Sequence, residues 1–275
     1  VHDILFDSLI SSILLRRNVY PKARNLLYVD EVQPYPQYTA VLQSYVQGKP
    51  LHKIKNHSIE DRIHFLEKSL LHLHVSISKE ELLQESAILS SRYPRSSRFT
   101  HLLNKKIQMM DNISFLKHFQ NDIQRIDVDD TTKKGLSDTV RAFNSRPADI
   151  TLFIHGDIKY SNIIADTSRV TPIDWSSAHF GDPYIDIADC AISILHDYRW
   201  KDSQNAIMKF IVNNTRKYRH TNLDEQHIIP YILFKAFSIA RVWHQKYLQE
   251  AIDIILESQT CTLHDIFHNL DWMYH

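Results

Sequence analysis

Two carboxylates set on short loops between apolar runs constrain this chain more than any other feature. HGDIKYSNII (155–164) places Asp157 and Asn162 in one polar loop, and PIDW (172–175) places Asp174 at the end of a further apolar run. TLFIHGDIKYSNIIAD (151–166) reads as a short strand, a loop and a second strand, with VTPIDW (170–175) a third. A carboxylate and an amide then share one loop, and a second carboxylate follows at the end of the next strand. Oxygen donors grouped in this way suit Mg²⁺, which takes one or two protein carboxylates plus substrate phosphates rather than a complete protein cage. Phosphoryl transfer asks for little else: a positioned hydroxyl, neutralised phosphate charge and an acceptor for the hydroxyl proton.

Composition narrows the alternatives. The 275 residues, 43% apolar and 23% charged, suffice for one large core or two smaller ones. A formal net charge of zero gives no support for a nucleic-acid or acidic-membrane partner. The two cysteines, Cys190 and Cys261, are far apart and outside any CxxC pattern. A disulfide framework or structural zinc is therefore not expected, and a reducing cytoplasm fits best. No apolar run reaches the ~20 residues of a membrane span. The opening VHDILFDSLISSILLRR lacks a basic leader and a small-residue cleavage site, so it is not read as a signal peptide. With only four glycines, Gly48, Gly135, Gly156 and Gly181, the chain has no GxGxxG or GxxxxGK[ST] loop. That excludes Walker-type and Rossmann readings.

HxDxxxxN followed by IDWxxxxxGDPxxDxA resembles the catalytic segment of the aminoglycoside phosphotransferase and choline kinase families, relatives of the protein kinases. The resemblance implies that Asp157 is the catalytic base and that Asn162 and Asp174 hold Mg²⁺, Asp174 bridging the metal to the nucleotide phosphates. It makes His155 the structural histidine of the loop and Asp186 a buried support for the loop's backbone amides. LQSYVQGKPL (42–51) resembles the hinge of these kinases, with the Ser44 carbonyl and Val46 amide facing adenine, and LEKSLLHLH (66–74) resembles the helix that follows it. Lys159 is similar to the lysine at this place in Ser/Thr protein kinases, where it contacts the transferred phosphate. The alternative is a solvated loop lysine. The resemblance spans roughly residues 20–75 and 150–195.

It implies an α+β, two-lobed protein kinase-like fold. Residues 1–50 would form a small, truncated amino-terminal lobe of helix, β-hairpin and hinge, and residues 51–275 a mostly helical lobe. The implied function is transfer of the ATP γ-phosphoryl group, with Mg²⁺, to a hydroxyl of a small molecule such as an aminoglycoside, choline or a sugar. One departure stands out. A phosphate-covering loop and a nucleotide lysine would precede the first helix in such families, and the chain begins at that helix, with Asp3 or Asp7 as its acid. Lys22 follows the helix and reads as a surface residue. A second reading is accordingly a pseudokinase or regulatory protein that binds without transferring phosphate. A third, resting on Lys159 alone, is transfer to protein side chains.

Outside that segment, helices are expected over 3–17, 59–75, 79–91, 100–121, 132–144, 185–196, 204–217, 224–250 and 262–272, and strands over 26–32 and 39–46 with a turn at 34–37. Bland readings are preferred elsewhere. His72 and His74 point to different faces of a helix and suit packing or capping. Trp175 packs, and Cys190 is a buried small hydrophobe. DVDD (127–130) is a solvated loop before it is a site for a cationic acceptor, and amphipathic packing explains RVWHQKYLQE (241–250) as well as an acceptor site does.

Overall fold

In a computed structural model, residues 2–18, 26–32, 35–43, 45–54, 57–74, 77–92, 97–109, 115–144, 152–166, 170–218, 227–243, 247–258 and 261–271 are described. They divide into two compact units. One comprises residues 1–56, 68–112 and 152–180, the other 57–67, 113–151 and 181–275.

The first unit is organised on α1 (His2–Arg16), which buries Leu5, Phe6, Leu9, Ile10, Ile13 and Leu14. Its last turn carries Arg16, favourable against the negative end of the helix dipole, and Asn18 closes it at φ 55°. A two-stranded antiparallel ribbon follows, β1 (Leu26–Val32) against β2 (Tyr35–Gln43), in register from Leu26↔Gln43 to Val32↔Tyr35. β2 begins at Tyr35, where a turn over 34–37 is expected. In a two-stranded ribbon every strand is an edge, so Pro36 removes no donor that a further strand needs. After the two-residue β3 (Lys49–Pro50) comes α2 (Ile59–Leu73), whose last turns belong to this unit, then α3 (Lys79–Arg92) and α4 (Ser97–Met109), both packed on α1. Arg17 forks onto the Glu81 carboxylate and Arg16 pairs with Glu85, tying α1 to α3. Four strands of three residues complete the unit: β4 (Leu152–Ile154), β5 (Ile163–Ala165), β6 (Val170–Pro172) and β7 (His179–Gly181). β4 pairs with β7, while β3, β5 and β6 form an antiparallel sheet in that order.

The second unit is helical: α5 (Phe115–Gln124), α6 (Asp130–Asn144), α7 (Tyr184–Asp197), α8 (Trp200–Thr215), α9 (Ile229–Trp243), α10 (Leu248–Glu257) and α11 (Leu263–Leu270). α7 is buried on nearly all sides and packs against α8 and α9. Phe119 lies 5.1 Å from Phe234 and 5.5 Å from Phe237, and Trp200 stacks on Phe267 at 5.3 Å. Two long helices expected from the sequence are each a pair. Over 100–121 the chain has α4 and α5, because twelve residues at about 100° each would leave Phe119 some 120° round the axis from Ile107, and no single buried face could take both. Over 224–250 it has α9 and α10, which pack against each other as one continuous helix could not. Among the described residues no helix is long and apolar enough to cross a membrane.

Several helices start on a side-chain cap. Thr262 accepts the Asp265 amide at 3.2 Å while Asp265 accepts the Thr262 amide at 2.9 Å, a reciprocal box at the head of α11. Ser58 and Asp61 do the same for α2, each bond 3.1 Å. Asp129 accepts both the amide and the hydroxyl of Thr132 ahead of α6, so one member of the DVDD run is a cap. These bonds hold the Asp61, Asp129 and Asp265 carboxyls below their ordinary value of 3.8, with hydrogen bonds from Ser58, Thr132 and Thr262 the leading causes. A depressed folded-state value stabilises the fold above the unfolded value and loses that contribution as pH falls through the folded one. Thr262→Ala should cost about 1 kcal/mol in urea unfolding at neutral pH. The difference from wild type should shrink as the pH is lowered below 3.8, where Asp265 becomes protonated in both proteins.

Candidate active site

The site grows out of β4, whose Phe153 and Ile154 are buried and which delivers His155, fully buried, to the start of the loop. Gly156 turns the chain at φ 76°, and a Cβ there would sit 2.5 Å from the Ser177 carbonyl oxygen. Glycine is required on two counts, left-handed backbone and close approach. Asp157 follows, its side chain about one quarter exposed. Ile158 and Tyr160 are buried and anchor the loop between the polar residues. A 3₁₀ turn over Tyr160–Asn162, closed by the Asn162 amide on the Lys159 carbonyl at 2.8 Å, leads into β5.

Asn162 is 7% exposed, and its amide nitrogen donates to the Asp157 backbone carbonyl at 2.9 Å and to Asp157 Oδ2 at 3.1 Å. The Lys159 ammonium donates to the same Oδ2 at 2.7 Å. Asp157 is thus oriented by its own loop, and Asn162 Oδ1 accepts from the Ser161 hydroxyl at 3.4 Å.

Asp174 enters through β6. Ile173, the residue before it, joins the two loops: its amide donates to the Asn162 carbonyl at 2.9 Å, and its carbonyl accepts from His155 Nε2 at 3.0 Å. With a carbonyl as acceptor the His155 proton resides on Nε2. The His155 ring lies 4.6 Å from that of Trp175, which in turn stacks on Phe153 at 6.4 Å. Asp174 is exposed and left-handed, φ 64° and ψ 65°, a conformation costing about 1–3 kcal/mol that the surroundings must over-determine. They do so in three places. Asp7 of α1 accepts the Trp175 amide at 2.9 Å, the Lys106 ammonium of α4 donates to the Ser176 carbonyl at 2.7 Å, and the Ser176 hydroxyl donates to Asp174 Oδ1 at 2.7 Å.

The remaining expected residues fall as follows. Val46 is buried in the segment leading to β3, which pairs with β5 immediately after Asn162, Lys49 opposite Ala165 and Pro50 opposite Ile164. Gly48, at φ 135°, lets this segment close on β5, since a Cβ would stand 2.6 Å from the Ala165 carbonyl oxygen. Ser44, Lys22 and the side chains of Asp3 and His72 lie outside the described residues. Asp186 is fully buried on α7 in the second unit, and Cys190, on the same helix, is fully buried with its thiol pushed well up by desolvation first and by the charges of Asp186 and Asp189. Lys106 and Ser176 are missed by sequence reasoning. Ser176 could have been noted as the second residue after Asp174, whereas nothing near Lys106 in sequence marks it.

Among the described residues no group of three His, Cys, Asp or Glu could hold a metal ion. An Mg²⁺ ion takes one or two protein oxygens and fills its remaining positions with phosphate and water. The donor set, Asn162 Oδ1 and the exposed Asp174 carboxylate, fits the ion.

Residues 118–209, which include both loops, match the family described as "Phosphotransferase enzyme family". No curated protein matches the sequence. Among solved structures, an apo thermostable mutant of aminoglycoside phosphotransferase APH(4)-Ia is similar over 94% of this chain and 84% of its own, at 13% identity and TM-score 0.55. A ternary complex of another such mutant with AMP-PNP and hygromycin B matches over 92% and 83%, at 14% identity and TM-score 0.56. Plasmodium vivax ethanolamine kinase matches over 99% and 70%, at 14% identity and TM-score 0.51. The chain carries the phosphotransferase fold. Over residues 118–209 its sequence resembles that phosphotransferase family, and it shares with the aminoglycoside phosphotransferase structures the α+β, protein kinase-like architecture.

Gly156→Ala should disorganise both loops of this phosphotransferase fold, by forcing a left-handed alanine against the Ser177 carbonyl. A fall in thermal midpoint of several degrees is expected. An unchanged midpoint would mean that the loop has room to re-form.

Proposed function

We propose that the chain is an ATP-dependent, Mg²⁺-requiring phosphotransferase acting on a hydroxyl of a small molecule. The observation that carries this reading is the clasp at Ile173, through which the loop of Asp157 and Asn162 and the turn of Asp174 are built as one object. The family match over both loops, and the nucleotide and hygromycin B in structures of similar fold, support it. Residues 1–50 then act as the small lobe with its hinge, Ser44 and Val46 facing adenine, and residues 51–275 as the helical lobe. Asp186 supports the loop, and an aminoglycoside, choline, a sugar or a similar alcohol is the acceptor. Cysteines outside any CxxC pattern agree with a reducing cytoplasm.

In this mechanism Asn162 and Asp174 hold the Mg²⁺, which when bound neutralises phosphate charge. Asp157 accepts a hydrogen bond from the acceptor hydroxyl and takes its proton as the acceptor oxygen bonds to the γ-phosphorus. The bond between the γ-phosphorus and the bridging oxygen breaks, and that oxygen leaves on ADP with the electron pair. Asn162 keeps the carboxylate directed during the step. Lys159 rests on Asp157 Oδ2 and has the flexible stem to swing its ammonium to the γ-phosphoryl group, leaving the base to the substrate.

Mg²⁺-dependent nucleotide binding and slow ATP hydrolysis, measured for wild type, Asp157→Ala and Asp174→Ala, test the reading. Asp174→Ala should abolish the Mg²⁺-dependent part of binding. Asp157→Ala should keep binding and lose ~10²–10⁴-fold in turnover. Wild-type binding without any turnover, with or without candidate alcohols, would select the non-catalytic reading, and absence of binding by the folded chain would overturn both.

A further inference from the structure

We propose that Lys106 is a positioning residue for Asp174, a role that rests on the phosphotransfer reading above. Lys106 lies on α4, far from the catalytic segment in sequence, yet its half-buried ammonium stands 4.4 Å over the Phe6 ring and donates to the Ser176 carbonyl at 2.7 Å. Between Leu103 and Ile107, both buried, it sits at the core-facing edge of its helix, where a lysine without a task would be directed to solvent. Phe6 is itself fully buried, so the ring that carries the cation is fixed.

What Lys106 holds is a turn with alternatives. The peptide entering Trp175 is fixed by an anion, Asp7, on its amide, and the peptide leaving Ser176 is fixed by a cation, Lys106, on its carbonyl. Rotation of either peptide would turn the wrong dipole towards its partner. The two clamps therefore admit one orientation of the 3₁₀ turn Trp175–Ser177, the one in which the Ser176 hydroxyl reaches Asp174 Oδ1 and the left-handed backbone aims the carboxylate. Neighbouring residues α1 supplies, Phe6 and Asp7, serve both clamps, so the helix and the lysine act on the turn together. Lys106 touches neither metal nor substrate in this scheme and works through Ser176.

Groups that touch a metal ligand typically change metal affinity or activity by 10–100-fold, and Lys106, acting through Ser176, belongs at the lower end. The test is calorimetric binding of ADP as Mg²⁺ is raised, for the wild-type chain, Lys106→Met, which keeps the apolar stem over Phe6, and Lys106→Arg, which keeps the donor. ADP binding in EDTA and the thermal midpoint are measured in parallel. Lys106→Met should raise the Mg²⁺ midpoint about tenfold while leaving metal-free ADP affinity unchanged. Lys106→Arg should restore most of it. An unchanged Mg²⁺ midpoint in Lys106→Met overturns the proposal. So does a loss that appears equally in metal-free affinity and is not rescued by arginine, which would make Lys106 a packing residue only. Should Lys106→Met fail to fold, Lys106→Gln takes its place under the same criteria. A wild-type chain without Mg²⁺-dependent ADP binding refutes the phosphotransfer reading itself, an outcome distinct from failure of Lys106 alone.

Discussion

The peptide unit of Ile173 is the constraint on which the rest of the site depends. Its amide is taken by Asn162 and the carbonyl of the same residue by His155, so the residue immediately before Asp174 is bound to both ends of the loop that carries Asp157. Both groups sit against buried side chains, where an unpaired backbone donor or acceptor costs roughly 1–3 kcal/mol, so neither bond is readily exchanged for water. The aromatic layer of Phe153, His155 and Trp175 closes over this join. The part-buried Asp157 and the exposed Asp174 thereby acquire a fixed backbone relation. Each side chain is then oriented locally, Asp157 by Lys159 and Asn162 and Asp174 by the Ser176 hydroxyl.

Much of this was legible in the sequence because the chemistry is compact along the chain. Asp157, Asn162 and Asp174 fall within eighteen residues (157–174), and strands of three residues with polar loops between them are visible as short apolar runs. His155 and Gly156 travel with them. What could not be read is non-local. The caps on the Asp174 turn come from Asp7 and Lys106, separated from Ser176 by 70 residues in the second case, and no periodicity or spacing links them. Asp7 was visible as an acid on the first helix, but its partner, a backbone amide rather than a lysine, was not.

The helical part was legible in kind and not in its divisions. The apolar periodicity of 100–121 and 224–250 announces helix correctly, yet a local pattern does not reveal that a face must change direction to meet a different neighbour. Phe119 packs with Phe234 and Phe237 of α9, and that is a tertiary fact. The same holds for β2, where a proline and a tyrosine near a turn signal read as loop. The ribbon extends through Pro36 because, among the described residues, no third strand pairs with β2 and needs a donor there.

Identity of 13–14% with structures of the same fold is intelligible on these terms. The fold requires apolar faces of roughly the right size, which many sequences satisfy, and a residue such as Leu9 can be exchanged where volume is kept. The site requires particular atoms at particular distances, and these are delivered by backbone: a left-handed Gly156, a left-handed Asp174, a carbonyl at Asn162 and another at Ser176. Residue identity is needed only where a side chain must accept a proton, present an oxygen, or hold one of those peptides in place. Chemistry is therefore concentrated in short segments while the elements that brace them, α1 and α4, contribute through single residues set in otherwise ordinary helices. A search by local motif finds the first group and passes over the second, and the second is where the orientation of Asp174 is decided.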